Sequence, residues 1–395
     1  MLDKVLEEGV RHGSLDFRAA DGRRGRYGDG EPVAEVTLHD PAIERRLVAD
    51  PDFMLGQTYM EGAWSTPDLR TLLDVLMGNF ARQASGQGQR VLQPVLRLLQ
   101  QWNRRAASRR NVAHHYDLDE SLFRRFLDRD LQYSCAYWDD GVEDLEAAQA
   151  AKRALIRRKL CLAPEQTVLD IGCGWGGLAI ELAEQAGARV VGLTLSREQA
   201  RVARQRVADR GLDDRVEIRM QDYRDVPERF DRIVSVGMFE HVGARYYDTY
   251  FNAVHRHLTA DGIALVHTIG RTGRPGVTNP WIRRYIFPGG YIPALSEVAS
   301  AVERQQLLCS DLEVLRMHYA YTLAAWFARF QAVRDAVCRE KGERFCRMWE
   351  FYLAASEMAF RHRGLVVFHF QLARDQHAVP RTRDYLWQQG QPVSC

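Results

Sequence analysis

Hydrophobic and polar positions are spaced differently in the two halves of the chain. From about residue 165, short apolar runs alternate with amphipathic stretches, which predicts strands and helices in turn. The predicted strands cover 167–171, 189–193, 215–219, 232–236 and 263–267, and the predicted helices cover 177–185, 197–210 and 244–258. This alternation indicates a doubly wound α/β sheet, whose ligand should lie at the carboxyl ends of the strands.

The first 85 residues show a mixed pattern that predicts a small α/β domain. A strand is expected at 35–38, and helices are expected at 42–49 and 68–78. The Ser/Gly/Gln stretch at 85–89 is typical of a linker. We therefore predict a separate N-terminal domain over 1–85.

Residues 90–111 contain six arginines and no acidic residue, together with enough apolar residues for a broad helical face. A basic amphipathic helix with one tryptophan is typical of contact with an anionic membrane surface. An inter-domain helix with solvated arginines explains the pattern equally well, and the sequence leaves both open. We predict a basic linker helix over 86–110 and a catalytic domain over 111–395.

Composition limits the class of protein. Of the 395 residues, 46% are hydrophobic and 27% charged, which excludes a disordered or fibrous chain. The net charge of +2 predicts no nucleic-acid partner. Fifty of the 54 basic residues are arginine, a bias that base composition explains for the most part. Seven cysteines without CxxC or zinc spacing predict reduced thiols and no metal. The N-terminus lacks a signal-peptide core, so we expect a cytoplasmic protein.

A glycine-rich loop joins the first predicted strand of the α/β region to its helix. Gly172 and Gly174 permit a tight turn and a close approach of the backbone to a ligand. A dinucleotide site requires an acidic residue at the end of the second strand, but 192–196 contains none. Asp170 instead precedes the first glycine, giving D-x-G-x-G-x-G. This pattern resembles the first motif of class I S-adenosylmethionine-dependent methyltransferases, which favours S-adenosylmethionine over NAD.

A more specific resemblance extends over nearly the whole chain. Its motifs are HHYDLDESLF (114–123), LQYSCAYW (131–138), VLDIGCGWGGLA (168–179), VGLTLSREQ (191–199), QDYRD (221–225), FDRIVSVGMFEHVG (230–243) and VHTIG (266–270). They occur in the order found in cyclopropane-fatty-acyl-phospholipid synthases, relatives of the mycolic acid cyclopropane synthases. Residues 50–69 are similar to the N-terminal domain of the bacterial phospholipid enzymes, which implies that the domain over 1–85 is associated with lipid or the membrane.

The resemblance implies a Rossmann-like fold and transfer of a methylene from S-adenosylmethionine to the cis double bond of an acyl chain in a membrane phospholipid. The reaction passes through a carbocation, with bound bicarbonate as the general base. A neutral alkene is a poor nucleophile, so the cofactor must be held firmly in a dry site. The implied cofactor-binding residues are Tyr133, Ser134, Asp170, Gly172, Gly174, Thr194, Leu195, Gln199, Asp222 and Tyr223. Asp222 is equally explained as a turn residue.

The resemblance also implies residues around bicarbonate: Cys135 and Ile269 through their backbone, Glu240, His267 and Tyr319. Two of these residues have a structural explanation when taken alone. Glu240 could begin a helix, and His267 could be an ordinary core histidine. Tyr321 is an alternative to Tyr319, which is favoured by its spacing to the T-L-x-x-W run. Their joint occurrence supports the assignment.

A lid over about 274–310 is expected to build the acyl tunnel, although core packing of an insertion explains this aromatic segment too. The resemblance implies a homodimer at the inner face of the cell membrane. Alternative products are methyl- or methylene-branched fatty acids or an N-methylated small amine. A non-catalytic binding homologue is the third hypothesis.

Overall fold

A computed structural model describes residues 2–80 and 120–387. In order along the chain, the α-helices are α1 (Leu2–Gly9), α2 (Ile43–Ala49), α3 (Pro51–Met60), α4 (Leu69–Phe80), α5 (Glu120–Phe126), α6 (Leu145–Lys159), α7 (Gly177–Ala186), α8 (Arg197–Asp209), α9 (Tyr247–His257), α10 (Pro280–Tyr285), α11 (Leu295–Arg304), α12 (His318–Lys341) and α13 (Glu343–His362). The strands are β1 (Ser14–Arg18), β2 (Arg24–Tyr27), β3 (Val33–Leu38), β4 (Trp64–Ser65), β5 (Thr167–Ile171), β6 (Arg189–Leu193), β7 (Val216–Arg219), β8 (Phe230–Val236), β9 (Leu258–Arg271), β10 (Leu308–Leu315) and β11 (Leu365–Ala373).

The described residues form two compact units. One unit contains 2–80, Val277–Pro288 and Ala320–Leu365, and the other contains 120–276, Gly289–Tyr319 and 366–387. The predicted linker and basic helix over 86–110 lie outside the described residues. The predicted lid segment contributes α10 to the first unit and α11 to the second.

The first unit is built on a four-stranded sheet in the order β2-β1-β3-β4. Helices α3 and α4 pack against α13. Gly56 on α3 permits this close packing, because a Cβ there would lie 2.6 Å from the Phe351 ring. The buried Glu357 carboxylate on α13 accepts hydrogen bonds of 2.7 and 2.8 Å from Arg70 on α4, so its charge is paired.

The second unit contains a seven-stranded sheet in the order β10-β11-β9-β8-β5-β6-β7. Strands β5 to β9 pair in parallel, and β10 pairs antiparallel to β11 at one edge. The predicted doubly wound α/β sheet is therefore confirmed.

Alternating side chains of the sheet enter two hydrophobic clusters. On β9, Ala264 and Val266 belong to one cluster, which contains residues of α9 and α11, and Leu265 belongs to the other, which contains residues of α6, α7 and α8. Strands buried on both faces explain the near-continuous apolar runs of the sequence.

Polar residues fix the helix starts next to the sheet. The Asp144 side chain accepts a hydrogen bond from the Ala147 amide and caps α6, and Ser196 caps α8 through the Gln199 amide. These caps fix the residues at which α6 and α8 begin. Within 2–80 and 120–387, none of the helices combines the length and apolar character needed to cross a bilayer.

Candidate functional site

A cavity lies at the carboxyl ends of β5, β6 and β8 in the second unit, where a doubly wound sheet binds its ligand. All ten residues predicted to bind the cofactor line this cavity: Tyr133, Ser134, Asp170, Gly172, Gly174, Thr194, Leu195, Gln199, Asp222 and Tyr223. The structure thus brings together residues separated by up to 90 positions in the sequence. Their individual roles remain predictions.

The glycine loop follows β5 and forms the floor of the cavity. Gly172 has a φ of +88°, and a Cβ added there would lie 2.8 Å from Met238 Cβ. Gly174 has a φ of +56°, with no atom within 4 Å of its Cβ position. Because only glycine adopts both conformations without strain, the loop backbone remains open to a ligand.

Asp170 is the penultimate residue of β5, and its carboxylate is buried. Its Oδ2 atom has no hydrogen-bond partner among the described residues. Burial raises the pKa of Asp170 to about 7, although nearby Lys152 opposes this shift. An unpaired carboxylate beside the cavity suits a ligand with a positive charge or an N–H donor.

Lys152, on α6 behind the cavity, was not predicted as a site residue from the sequence. Its side chain is fully buried, and Nζ donates hydrogen bonds to Gln132 Oε1 at 2.6 Å and Ser134 Oγ at 2.9 Å. Gln149, one turn earlier, donates to the Ser134 carbonyl at 3.0 Å. These bonds hold the segment that carries Tyr133, Ser134 and Cys135. The local pattern gave no signal for this lysine, because α6 buries other polar and charged side chains as well.

The loop after β6 contributes neutral polar groups. The Thr194 hydroxyl donates to Gln199 Oε1 at 2.8 Å, and both residues are buried. Gln199 is therefore oriented from the first turn of α8 toward the position where dinucleotide enzymes have an acid. Its amide can form hydrogen bonds to ribose hydroxyl groups.

Asp222 does not present a free carboxylate. Arg224, which also lines the cavity, donates through Nε to Asp222 Oδ1 at 2.8 Å and forms an ion pair with Oδ2. The adjacent Tyr223 packs edge-to-face against Tyr250, with ring centroids 5.4 Å apart. The paired Asp222 carboxylate can still accept a hydrogen bond, and it lies beside the Tyr223 ring. Both features suit the binding of an adenine ring. The sequence did not predict the role of Arg224.

Glu240 and Ile269 lie together beyond the cofactor residues. The Ile269 amide donates to Glu240 Oε1 at 2.6 Å, while Glu240 Oε2 is buried without a hydrogen-bond partner among the described residues. Burial raises the pKa of Glu240 to about 7. Near neutral pH, the Glu240 carboxyl can therefore either donate a proton or accept one. This property suits a group that would face a small bound anion.

The other three predicted residues are buried in the same unit. His267 lies on β9, two residues before Ile269 and therefore on the same face. Cys135 follows the segment held by Lys152, and its thiol donates to the Ala136 carbonyl. Tyr319 is 8% exposed in the first turn of α12, whereas the alternative Tyr321 is 46% exposed. The two buried groups Cys135 and Tyr319 come from segments outside the sheet.

These residues fit S-adenosylmethionine. The orphaned Asp170 Oδ2 and the glycine cradle suit its charged amino-acid part, and the Tyr223 ring with the paired Asp222 suits its adenine. The orphaned Glu240 Oε2 provides a separate polar position for a small anion. Within the described ranges, no group of three or more His, Cys, Asp or Glu residues could hold a metal ion.

Comparisons with known proteins agree with this geometry. Residues 103–370 match the model of the family described as mycolic acid cyclopropane synthetase. The chain is 40% identical over 349 residues to the cyclopropane-fatty-acyl-phospholipid synthase of Escherichia coli (strain K12), covering 88% of this chain and 89% of that protein. This similarity includes much of the region before residue 103.

Two further matches concern fatty-acid and mycolic-acid enzymes. The tuberculostearic acid methyltransferase of Mycobacterium tuberculosis is 37% identical over 392 residues, covering 95% of this chain and 91% of that protein. A solved mycolic acid cyclopropane synthase, complexed with SAH and CTAB, is 35% identical, with a TM-score of 0.64 over 67% of this chain and 97% of that chain.

Proposed function

The chain belongs to the mycolic acid cyclopropane synthetase family and is an S-adenosylmethionine-dependent methyltransferase, and we propose that it makes cyclopropane fatty acids in membrane phospholipids. The observation that carries the proposal is the hydrogen bond from the Ile269 amide to the buried Glu240 carboxyl, next to the predicted cofactor cavity. Similarity to the Escherichia coli phospholipid enzyme over 88% of the chain supports phospholipid as the substrate class.

The cavity residues would hold the co-substrate through complementary charge and shape. S-adenosylmethionine supplies an electrophilic methyl group on a positively charged sulfur. Asp170 and the glycine loop would hold its amino-acid part, and Thr194, Gln199 and Tyr223 would hold the nucleoside. Lys152 keeps Ser134 and its neighbours in place. A firmly held methyl group lowers the entropic cost of attack by the weakly nucleophilic alkene.

Ring closure requires a base. Addition of a methyl group to the alkene leaves a carbocation on the acyl chain, and loss of one proton from that methyl closes the cyclopropane. Bicarbonate supplies a basic oxygen when bound. Glu240, His267 and Tyr319 with the Cys135 backbone would hold it, while the Ile269 amide already serves Glu240. A protonated Glu240 carboxyl would donate a hydrogen bond to the anion, and its raised pKa favours that form.

Access to phospholipid requires contact with a membrane. We propose peripheral association at the inner face of the cell membrane, supported by the acid-free arginine-rich sequence 90–111. The homodimer implied by the family resemblance is part of the same proposal. Light scattering of the purified protein, with and without vesicles, measures both properties.

The test is expression in a bacterium whose phospholipids contain cis-unsaturated chains, followed by mass analysis of fatty acid methyl esters. The proposal predicts a fatty acid that has gained one CH2. This product should resist mild hydrogenation, because a ring has replaced the double bond. A Glu240→Gln variant is the matched inactive control.

The same experiment separates the second candidate, formation of methyl- or methylene-branched fatty acids. This candidate is supported by similarity to the tuberculostearic acid methyltransferase over 95% of the chain. A gain of CH2 with a surviving double bond indicates a methylene product and contradicts cyclopropanation. Unchanged lipids in cells that contain folded protein would also contradict the proposed function.

A further inference from the structure

Two buried histidines face each other on neighbouring strands of the second unit. His267 lies on β9 and His369 on β11, which are adjacent in the sheet. His267 Nδ1 is 2.7 Å from His369 Nε2, and the ring centroids are 4.7 Å apart. Both side chains are buried, so the two rings share a hydrogen bond away from bulk water.

Both rings are neutral near physiological pH. Burial lowers the pKa of His267 to about 3 and holds the pKa of His369 well below its usual value. The positive charges of Lys152 and Lys159 act in the same direction on His369. Each neutral imidazole carries one N–H, so the proton between the facing nitrogens belongs to one ring or the other.

The second nitrogen of His369 decides between these two arrangements. Nδ1 of His369 is buried and has no hydrogen-bond partner among residues 2–80 and 120–387. If His267 donated the shared proton, His369 would carry its own proton on Nδ1, where a buried N–H would lack an acceptor. Folded proteins rarely contain such a group. A proton on His369 Nε2 leaves only a lone pair at Nδ1.

We propose that His369 is a positioning residue that holds His267 in the tautomer protonated at Nε2. This inference rests on the proposed function of His267 at the anion site. His369 donates from Nε2 to His267 Nδ1, so the remaining nitrogen of His267 is an N–H donor. A bound anion requires a donor at that place, whereas the opposite tautomer would present a lone pair.

The direct test is long-range 1H–15N NMR of the full-length protein labelled with 15N-histidine, using His267→Asn to identify the His267 signals. The wild-type spectrum should show His267 unprotonated at Nδ1 and protonated at Nε2. His369→Leu removes the donor and should populate both tautomers. His369→Gln retains a donor amide and should preserve the wild-type tautomer. Protonated Nδ1 in the wild type, or an unchanged tautomer in His369→Leu, would overturn the proposal.

Kinetics provide the second readout. His369→Leu should lower kcat by roughly 10- to 100-fold, the effect of removing an outer hydrogen-bond partner of a functional histidine. The KM for S-adenosylmethionine should stay unchanged, and His369→Gln should recover most of the activity. Full activity of His369→Leu beside an inactive His267→Asn would refute the positioning role alone. Full activity of His267→Asn would instead refute the proposed anion site. If His369→Leu fails to fold, the wild-type tautomer and His369→Gln still decide.

Discussion

Replacement of Asp170 by asparagine tests how the cavity would bind the co-substrate. The buried carboxylate has an unpaired oxygen and a pKa raised to about 7. A cationic ligand beside it favours the ionised form and lowers that pKa. Binding should therefore release protons near and below pH 7, and affinity should be highest above pH 7.

The size of the effect follows from the titration of Asp170. With a pKa of about 7, the ionised fraction falls about fivefold from pH 7 to pH 6 and about fiftyfold from pH 7 to pH 5. The affinity for S-adenosylmethionine should fall by the same factors. Asp170→Asn should bind more weakly at pH 8 and should show a smaller pH dependence, because buried Lys152, with a pKa lowered to about 7, still titrates in this range.

Isothermal titration calorimetry in buffers with different ionisation enthalpies measures both the affinity and the protons released. Asp231→Asn is the matched control, because Asp231 accepts hydrogen bonds from Thr167 at the start of the same strand, outside the cavity lining. It should retain the wild-type slope. Lys152→Met should move the inflection to higher pH, since Lys152 lowers the Asp170 pKa. An unchanged slope in Asp170→Asn would show that the Asp170 carboxylate does not bind the cationic ligand.

Three further predictions concern the anion site, the glycine loop and the membrane. Glu240→Gln and His267→Ala should lose at least about 100-fold in turnover while binding S-adenosylmethionine normally in calorimetry, because they act on proton removal; loss of cofactor binding would contradict their assignment. Gly172→Ala should lower the free energy of unfolding, measured by urea denaturation, by about 1–3 kcal/mol. The loss should exceed that of Gly211→Ala, because a Cβ at residue 211 meets no atom within 4 Å. Equal losses would argue against the close approach to Met238. Glutamine at four arginines of the predicted basic helix should weaken binding to anionic vesicles in sedimentation assays, and unchanged binding and salt dependence would favour the inter-domain explanation. These are Arg104, Arg105, Arg109 and Arg110.

The local pattern was sufficient for the sheet of the second unit. Strands 167–171 and 189–193 were predicted with the observed bounds, because both are short apolar runs ended by turn residues. Strand β9 extends over Leu258–Arg271, beyond the predicted 263–267. Its Asp261-Gly262 segment looks like a turn in the sequence, but pairing between β8 and β9 begins at Leu258. Such pairing is tertiary information.

Which helices and strands belong to each unit depends on tertiary contacts, and sequence periodicity does not reveal these. Helix α13 shows an apolar face at 3.6-residue spacing, but the pattern does not say that α3 and α4 cover it. The cofactor residues were predictable because each belongs to a motif directly after a strand. The residues that hold the site residues in place were not predictable. Lys152 and His369 lie inside a regular helix and strand, where a lysine or histidine has no local sequence signature.

Lysine usage does carry some of this missing information. The chain contains only four lysines, Lys4, Lys152, Lys159 and Lys341. Lys152 and Lys159 are fully buried, whereas Lys4 makes only an exposed pair with Glu8. A compact ammonium group can be enclosed by two or three acceptors more readily than the wide guanidinium of arginine. In an arginine-rich protein, retained lysines are therefore candidates for buried polar networks.

The proposed reaction adds a methylene to an acyl double bond and closes a ring. Purified protein, phospholipid vesicles with cis-monounsaturated chains and S-adenosylmethionine carrying a trideuterated methyl group test it in one mass spectrum, recorded before and after hydrogenation. We expect a gain of one CD2 unit and no uptake of hydrogen by the product. A gain of CD3, or a product that takes up hydrogen, would contradict it.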